Sequence, residues 1–168
     1  MQTKTFRLLS FLAIFTAAAV WTAWTSGWQA STDGGSAAQP GYLAPDFTLK
    51  DGQGSALTLS ELRGKPVILN LWASWCGPCR AEMPALQALH EDLGSEIIVL
   101  GVNAADQDSR QAAEEFLSAN GVTFPVVFDE SGAVSDLYLL QALPTTYFIR
   151  ADGIIEDVTI GGPLSEAL

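Results

Sequence analysis

Two cysteines, Cys76 and Cys79, stand three positions apart with Gly77 and Pro78 between them. Two thiols at this spacing can close and open a small disulfide ring, which is a redox function. A structural zinc site needs about four Cys or His ligands, and His90 is the one histidine in the sequence. We therefore expect the cysteines to act as a pair, with no metal and no cofactor.

The cysteine pair follows an apolar run at 66–73 and opens a helical pattern that continues to about Leu93. Backbone N–H groups and the positive dipole end at a helix start stabilise negative charge. The thiolate of Cys76 is therefore favoured, and the thiolate is the form that attacks disulfides. We predict that Cys76 is the nucleophile at an exposed mouth and that Cys79, one turn into the helix, is the more buried resolving thiol.

Glu82 is the acidic residue that could take part in this chemistry. It lies three residues after Cys79, so the two side chains originate about 5 to 6 Å apart on one helical face. A partly buried carboxylate with a raised pKa could exchange the proton of Cys79. A solvated glutamate favoured by the helix dipole is an equally good interpretation. Asn70, on the preceding strand, cannot titrate and is expected to be a hydrogen-bonded polar group in the sheet.

The elements that must position these residues alternate between strands and helices. A hairpin is predicted near 46–59, followed by one helical turn that Ser60 caps and Gly64 ends. The later strands are predicted at 66–73, 96–103, 124–129 and on both sides of a turn at 151–153, and the helices at 77–93, 109–121 and 132–140. Strands joined by helical crossovers predict an α/β class with a mostly parallel sheet and an antiparallel final pair.

The N-terminal region predicts a membrane anchor. No charged residue lies between Arg7 and Asp33, and this uncharged stretch is long enough for a bilayer-spanning helix. Lys4 and Arg7 precede it, which places the remainder of the chain outside the cytoplasm. The interpretation divides the chain into an anchor at 1–30, a linker at 31–41 and a folded domain at 42–168. A cleavable signal peptide is the alternative.

The charge balance excludes one class of partner. The 168 residues contain 19 acidic and 8 basic side chains, a formal net charge of −11. Nucleic-acid binding depends largely on Lys and Arg neutralising phosphates, so we exclude it. The acidic surface favours either basic protein partners or simple solubility.

Two segments, LWASWCGPCRAEMP at 71–84 and LPTTYFIRADG at 143–153, resemble the thioredoxin superfamily. The sequence is more closely similar to the membrane-anchored, extracytoplasmic thiol-disulfide oxidoreductases of the ResA/TlpA type. The resemblance covers about 42–162. It implies a thioredoxin fold: a central mixed sheet flanked by helices, with an N-terminal β-hairpin and an inserted helix-strand unit at about 105–128. The family ends in a further helix, whereas 163–168 leaves room for about one and a half turns.

The resemblance also bears on where a substrate would bind. It implies a cis peptide between Leu143 and Pro144, which would bring the Leu143 backbone close to the Cys76 sulfur for pairing with an extended substrate. An ordinary trans proline at a strand start is the alternative. Trp75, next to Cys76, is expected to form an apolar rim that a partner covers. The candidate substrate-binding residues are therefore Trp75, Gly77, Pro78, Leu143 and Pro144.

These observations predict a disulfide reductase acting on exported proteins such as apocytochrome c, supplied with electrons by a membrane thiol relay. Reduction is the expected direction because Gly77-Pro78 is the thioredoxin dipeptide and lacks the histidine that strongly oxidising members carry. A copper-binding assembly chaperone is an alternative, although it would usually recruit a further His or Met. His90 lies far along the helix from Cys79, and Met83 is expected to face the core. A thiol peroxidase is the third possibility.

Overall fold

The computed structural model describes residues 35–162. The predicted anchor at 1–30, the start of the predicted linker at 31–34 and the C-terminal segment 163–168 lie outside the described residues. Within 35–162, none of the helices combines the length and the apolar character that crossing a bilayer requires.

The described chain forms a seven-stranded mixed sheet with flanking helices. The strands are β1 (Thr48–Asp51), β2 (Ala56–Thr58), β3 (Val67–Trp72), β4 (Ile98–Asn103), β5 (Val126–Phe128), β6 (Thr145–Ile149) and β7 (Ile155–Ile160). The helices are a 3-10 turn (Leu59–Leu62), α1 (Gly77–Leu93), α2 (Arg110–Ala119) and α3 (Ala133–Leu137). This arrangement confirms the predicted α/β class, the N-terminal hairpin and the inserted helix-strand unit, α2 and β5. The prediction of a mostly parallel sheet is wrong, because of the described strands only β3–β4 and β4–β5 pair in parallel, whereas the other four pairings are antiparallel.

Strand β3 occupies the interior of the sheet, whose order is β2-β1-β5-β4-β3-β6-β7. It pairs in parallel with β4 and antiparallel with β6. All six of its residues are buried, as its nearly continuous apolar composition predicts for a strand covered on both faces. Two hydrophobic clusters cover those faces, one centred on Leu69 and Leu100 and the other on Trp72 and Leu86. The carboxyl end of β3 leads directly into the cysteine motif.

Helix α1 presents one apolar side to the sheet. Its buried side chains are Cys79, Glu82, Met83, Leu86 and Gln87, a spacing of three and four residues that places them on one face. Met83 faces the core as predicted, with almost no exposed surface. The helix begins after Cys76 and ends before Gly94, as the sequence predicts.

Of the two N-caps predicted for the shorter helices, the structure confirms one and contradicts the other. Ser109 caps α2 by accepting a hydrogen bond from the Ala112 N–H. The predicted cap at Ser60 is wrong, because the N-cap of the 3-10 turn is Thr58, two residues earlier, and Ser60 lies inside the turn. The Ser60 N–H instead donates to the Asp46 carboxylate at 2.9 Å, so a side chain distant in sequence replaces the local cap.

The first part of the described chain runs beside the start of β7. The Gly41 N–H donates to the Ile155 carbonyl at 2.8 Å, and the Ile155 N–H donates to the Tyr42 carbonyl at 2.9 Å. The Ala44 N–H continues the pairing to the Gly153 carbonyl at 2.9 Å. This segment therefore hydrogen-bonds to Ile155, the first residue of β7, and to Gly153 in the turn before it.

Candidate active site

Cys76 and Cys79 form a disulfide at the N-terminus of α1, with their Cα atoms 5.3 Å apart. Cys76 is the N-cap residue of this helix, and its Sγ accepts a hydrogen bond from the Cys79 N–H at 3.2 Å. A sulfur in this position receives the backbone donor and dipole that favour a thiolate. The predicted placement at a strand-to-helix junction is confirmed.

The exposure of Cys76 differs from the prediction of an exposed mouth. Cys76 is only 4% exposed and Cys79 is fully buried. Cys79 is therefore the more buried of the two cysteines, as predicted, but Cys76 is less exposed than expected. The cause is packing, since Cys76 belongs to the same apolar cluster as Trp72 and Cys79. Trp75 is 60% exposed beside it.

The peptide bond between Leu143 and Pro144 is cis, which confirms the expectation. Pro144 is buried directly before β6. Leu143 is half-buried and packs against both hydrophobic clusters, one of which contains Cys76 and Cys79. The Leu143–Pro144 segment and the disulfide therefore share one packed region of the domain.

Glu82 is fully buried, so the interpretation as a solvated glutamate is wrong. The Asn70 Nδ2 group donates a hydrogen bond of 2.6 Å to Glu82 Oε1 and another of 2.9 Å to Thr146 Oγ1. Asn70 is also fully buried and is the hydrogen-bonded sheet residue that the sequence predicts. Strand β3 thus supplies a hydrogen-bond donor to a carboxyl group that lies one turn after Cys79, and Thr146 of β6 fixes that donor.

Sequence reasoning missed a second polar cluster on the other side of the motif. The Asp108 carboxylate accepts hydrogen bonds from the Ser74 backbone N–H at 2.6 Å and from the Ser74 hydroxyl at 2.7 Å. Asp108 precedes helix α2, where an acidic residue is common and signals nothing unusual. A contact between residues this far apart in sequence leaves no local pattern.

His90 is placed away from the cysteines. Its ring makes an edge contact with Phe124, with ring centroids 6.3 Å apart, and it lies in the last turn of α1. Among residues 35–162, no three His, Cys, Asp or Glu side chains lie together in a group able to hold a metal ion.

A comparison with protein-family models matches residues 40–158 to the AhpC/TSA family. The chain belongs to the AhpC/TSA family. The matched range includes both cysteines, Glu82 and the Leu143–Pro144 segment, so membership rests on the part of the chain that forms the site.

Curated proteins with similar sequences include two from Bacillus subtilis. The thioredoxin-like protein YneN of Bacillus subtilis is 38% identical over 124 residues, which cover 73% of this chain and 72% of that protein. The thiol-disulfide oxidoreductase ResA of Bacillus subtilis is 38% identical over 122 residues, which cover 72% of this chain and 67% of that protein.

A solved structure supports the same fold. StoA from Bacillus subtilis superimposes with a TM-score of 0.63 at 30% identity, covering 71% of this chain and 89% of that structure. The likeness confirms the thioredoxin fold. Together with the disulfide-bonded Cys76 and Cys79, these relatives identify this AhpC/TSA family member as a thiol-disulfide oxidoreductase.

Proposed function

We propose that the protein reduces disulfides of exported proteins outside the cytoplasm, with Cys76 as nucleophile and Cys79 as resolving thiol. The supporting observation is the position of Cys76 as the N-cap of α1, where its sulfur accepts the Cys79 N–H at 3.2 Å. This environment favours a reactive thiolate at neutral pH. Gly77 and Pro78 between the cysteines support the reducing direction.

The reaction proceeds in two exchanges. The Cys76 thiolate of the reduced protein attacks one sulfur of the partner's disulfide, and the other partner sulfur leaves as a thiolate that takes up a proton. Cys79 then loses its proton and attacks Cys76 Sγ, which releases the second partner sulfur. The partner gains two electrons and two protons, and the protein is left with the Cys76–Cys79 disulfide.

Glu82 is proposed as the group that accepts the Cys79 proton during resolution. It is buried on the same face of α1 as Cys79, and its carboxyl group is hydrogen-bonded to Asn70. A carboxyl group held on this face is the general base available to the thiol during resolution. Asn70, fixed between Glu82 and Thr146, orients the carboxyl group without titrating itself.

The partner is proposed to bind across a rim made of two segments. Trp75, Gly77 and Pro78 are exposed around the covered Cys76, so a partner can lie over them while its disulfide approaches the sulfur. The backbone at Leu143, just before Pro144, offers groups that an extended partner segment can pair with. The exposed indole of Trp75 supplies apolar area for this contact.

The proposed setting is a domain tethered to a membrane through 1–30, with the globular part on the outer side. The basic residues Lys4 and Arg7 before a long uncharged stretch support this orientation. A reductase in that location needs an electron source, for which we propose a membrane thiol relay. Apocytochrome c is proposed as one such exported substrate, in line with the family resemblance.

Reduction of insulin by the full-length protein in the presence of dithiothreitol tests the chemistry. We expect turnover in the wild type, loss of turnover in Cys76→Ser, and a trapped mixed disulfide in Cys79→Ser, detected by mass spectrometry. Absence of wild-type turnover together with tight copper binding would support the chaperone alternative instead. Turnover of hydrogen peroxide without insulin reduction would support a peroxidase.

The direction of electron flow is tested by the redox potential of the Cys76–Cys79 couple in a glutathione or dithiothreitol series. A value near the −270 mV or so of thioredoxin supports a reductase. A value near the −120 mV or so of the oxidant DsbA would reverse the proposed direction.

A further inference from the structure

The loop that follows β4 makes direct contact with the segment that leads into Cys76. The two oxygens of Asp108 each accept one hydrogen bond from Ser74, Oδ2 from the backbone N–H at 2.6 Å and Oδ1 from the hydroxyl at 2.7 Å. Ser74 stands two residues before Cys76, and its own exposed surface is small. The carboxylate therefore holds both the backbone and the side chain of a residue next to the motif.

The same carboxylate accepts two further hydrogen bonds. Asn103 Nδ2, at the end of β4, donates to Asp108 Oδ2 at 2.9 Å, and the Ser109 N–H donates to Oδ1 at 2.8 Å. Burial by itself would raise the pKa of Asp108, but the hydrogen bonds from Asn103, Ser74 and Ser109 outweigh it and hold the pKa below its usual value. Asn103 is fully buried on a central strand, so the anchor point of Asp108 is rigid.

Four donors form hydrogen bonds to the two carboxylate oxygens of Asp108. A side chain that only accepts hydrogen bonds suits this position. A carboxylate can accept all four hydrogen bonds, whereas an amide has one acceptor oxygen and would turn its NH2 group toward other donors. A buried donor left without an acceptor costs free energy, so the residues around the carboxylate would move from their present positions. Asparagine in place of Asp108 is therefore a disruptive change despite its similar shape.

Two further hydrogen bonds fix the residues next to the nucleophile. The Trp75 Nε1 group donates to the Gln107 carbonyl at 2.9 Å, so the exposed indole is tied to the same loop. Arg80 Nη1 donates to the Ser74 carbonyl at 3.2 Å from the first turns of α1. The Ser74–Trp75 segment is thus held between the 107–108 loop and the helix that carries both cysteines.

We propose that Asp108 is a positioning residue for thiol-disulfide exchange, acting through Ser74 and Trp75 on the nucleophile Cys76. By fixing Ser74, it keeps the Cys76 sulfur at the N-cap of α1, where the helix stabilises its thiolate. By fixing the loop that binds the indole, it keeps Trp75 at the rim that a partner's disulfide must cross. The role rests on the proposed function and adds a residue outside the motif to it.

The test compares Asp108→Asn with Asp106→Asn, which removes the same charge from an exposed acid in the same loop. The first readout is the rate constant for alkylation of Cys76 by iodoacetamide in the reduced full-length protein, under conditions where each variant is folded. The second is kcat/KM for insulin reduction. Removing a negative charge near a thiolate should speed alkylation, whereas displacing the thiolate from its stabilising position should slow it.

We expect Asp108→Asn to slow alkylation and to lower kcat/KM by up to roughly 10²-fold, the cost of misplacing a reacting group by about 1 Å. Asp106→Asn should leave both values near those of the wild type. Alkylation in Asp108→Asn as fast as in Asp106→Asn, or faster, would overturn the proposal. A role in stability alone would lower the free energy of unfolding but leave both rate constants of the folded protein unchanged.

Ser74→Ala keeps the proposal testable if Asp108→Asn does not fold, because it removes one hydrogen bond to Asp108 and retains the other. Its alkylation rate should fall in the same direction by a smaller factor, and the double variant should be little slower than Asp108→Asn. Additive effects of the two changes would overturn action through Ser74. Slowed alkylation in a protein whose wild type does not reduce insulin would support the positioning role and refute the proposed function.

Discussion

Asn70 and Glu82 lie on different elements, β3 and α1, yet their side chains are joined by a hydrogen bond of 2.6 Å in the buried interior. Asn70 donates and Glu82 accepts, so the amide can orient the carboxyl group while leaving proton exchange to it. Glu82 and the resolving thiol Cys79 share the buried face of α1.

Replacing Glu82 with glutamine tests proton exchange directly. Glutamine retains an acceptor oxygen for Asn70 and nearly the same volume, but it cannot accept the Cys79 proton. We expect closure of the Cys76–Cys79 ring onto a preformed mixed disulfide to slow by roughly 10²-fold, the lower range for loss of a general base. Stopped-flow measurement of partner release checks this.

Glu91→Gln is the matched control for that variant, because Glu91 is an exposed acid on the same helix. Its ring-closure rate should equal that of the wild type. Equal rates in Glu82→Gln and Glu91→Gln would contradict a proton-transfer role for Glu82.

Leu139 adopts a left-handed backbone conformation, with a φ of 52°, and its side chain is 69% exposed. This conformation costs a residue with a Cβ atom roughly 1 to 2 kcal/mol, and glycine avoids the cost. We therefore expect Leu139→Gly to raise the free energy of unfolding by about 1 kcal/mol, measured by urea denaturation.

The comparison variant is Leu137→Gly, two residues earlier within α3. Leu137 is also partly exposed, at 43%, but glycine in a helix is unfavourable by about 1 kcal/mol. The two substitutions should change stability in opposite directions. A loss of stability in both would show that contacts of the Leu139 side chain outweigh its backbone strain.

Tyr138 is buried and its hydroxyl donates a hydrogen bond of 2.7 Å to the Pro45 carbonyl. Tyr138→Phe would leave this buried carbonyl without its donor, a loss that costs about 1 to 3 kcal/mol. Urea denaturation should therefore show a lower midpoint with an unchanged slope. Tyr42→Phe, at a residue that is 42% exposed, should change stability by much less. Equal effects at Tyr138 and Tyr42 would refute this role of the hydroxyl.

Asp108 makes stability depend on pH in acid. Its pKa in the folded protein is lowered because the hydrogen bonds from Asn103, Ser74 and Ser109 outweigh the opposing effect of burial. Its contribution is therefore complete above the unfolded pKa of about 3.9 and is lost as pH falls through the lower folded value. The stability difference between wild type and Asp108→Ala should be constant from pH 7 to about 5 and should shrink below about pH 4.

Urea unfolding at a series of pH values measures this difference, with Asp106→Ala as the control in the same loop. A difference between wild type and Asp108→Ala that stays constant down to pH 2 would contradict the lowered pKa of Asp108. Shrinkage in the Asp106→Ala comparison of equal size would assign the effect to overall charge.

The parts of the site that sequence predicted are those governed by local rules. The apolar run of β3, the start of α1 at the cysteines and the Ser109 cap each follow from neighbours a few positions apart. The cis bond before Pro144 came from the resemblance, since trans was also compatible with the sequence itself.

The parts that sequence missed depend on contacts across the fold. Ser74 and Asp108 come into contact because β3 and β4 end side by side. Asp46 contacts Ser60 because the hairpin of β1 and β2 brings the two residues together. The low exposure of Cys76 has the same kind of cause, because it results from packing with Trp72 and not from the cysteine motif itself.

The pairing of Gly41, Tyr42 and Ala44 with the beginning of β7 has a consequence for self-association. Unpaired strand edges are sites at which identical chains add to one another and aggregate. The segment that leads into the domain occupies the first hydrogen-bonding positions of such an edge. A proteolytic cut after Ala44 would release those backbone groups, so loss of the leading segment would make the domain prone to polymerise through its own sheet.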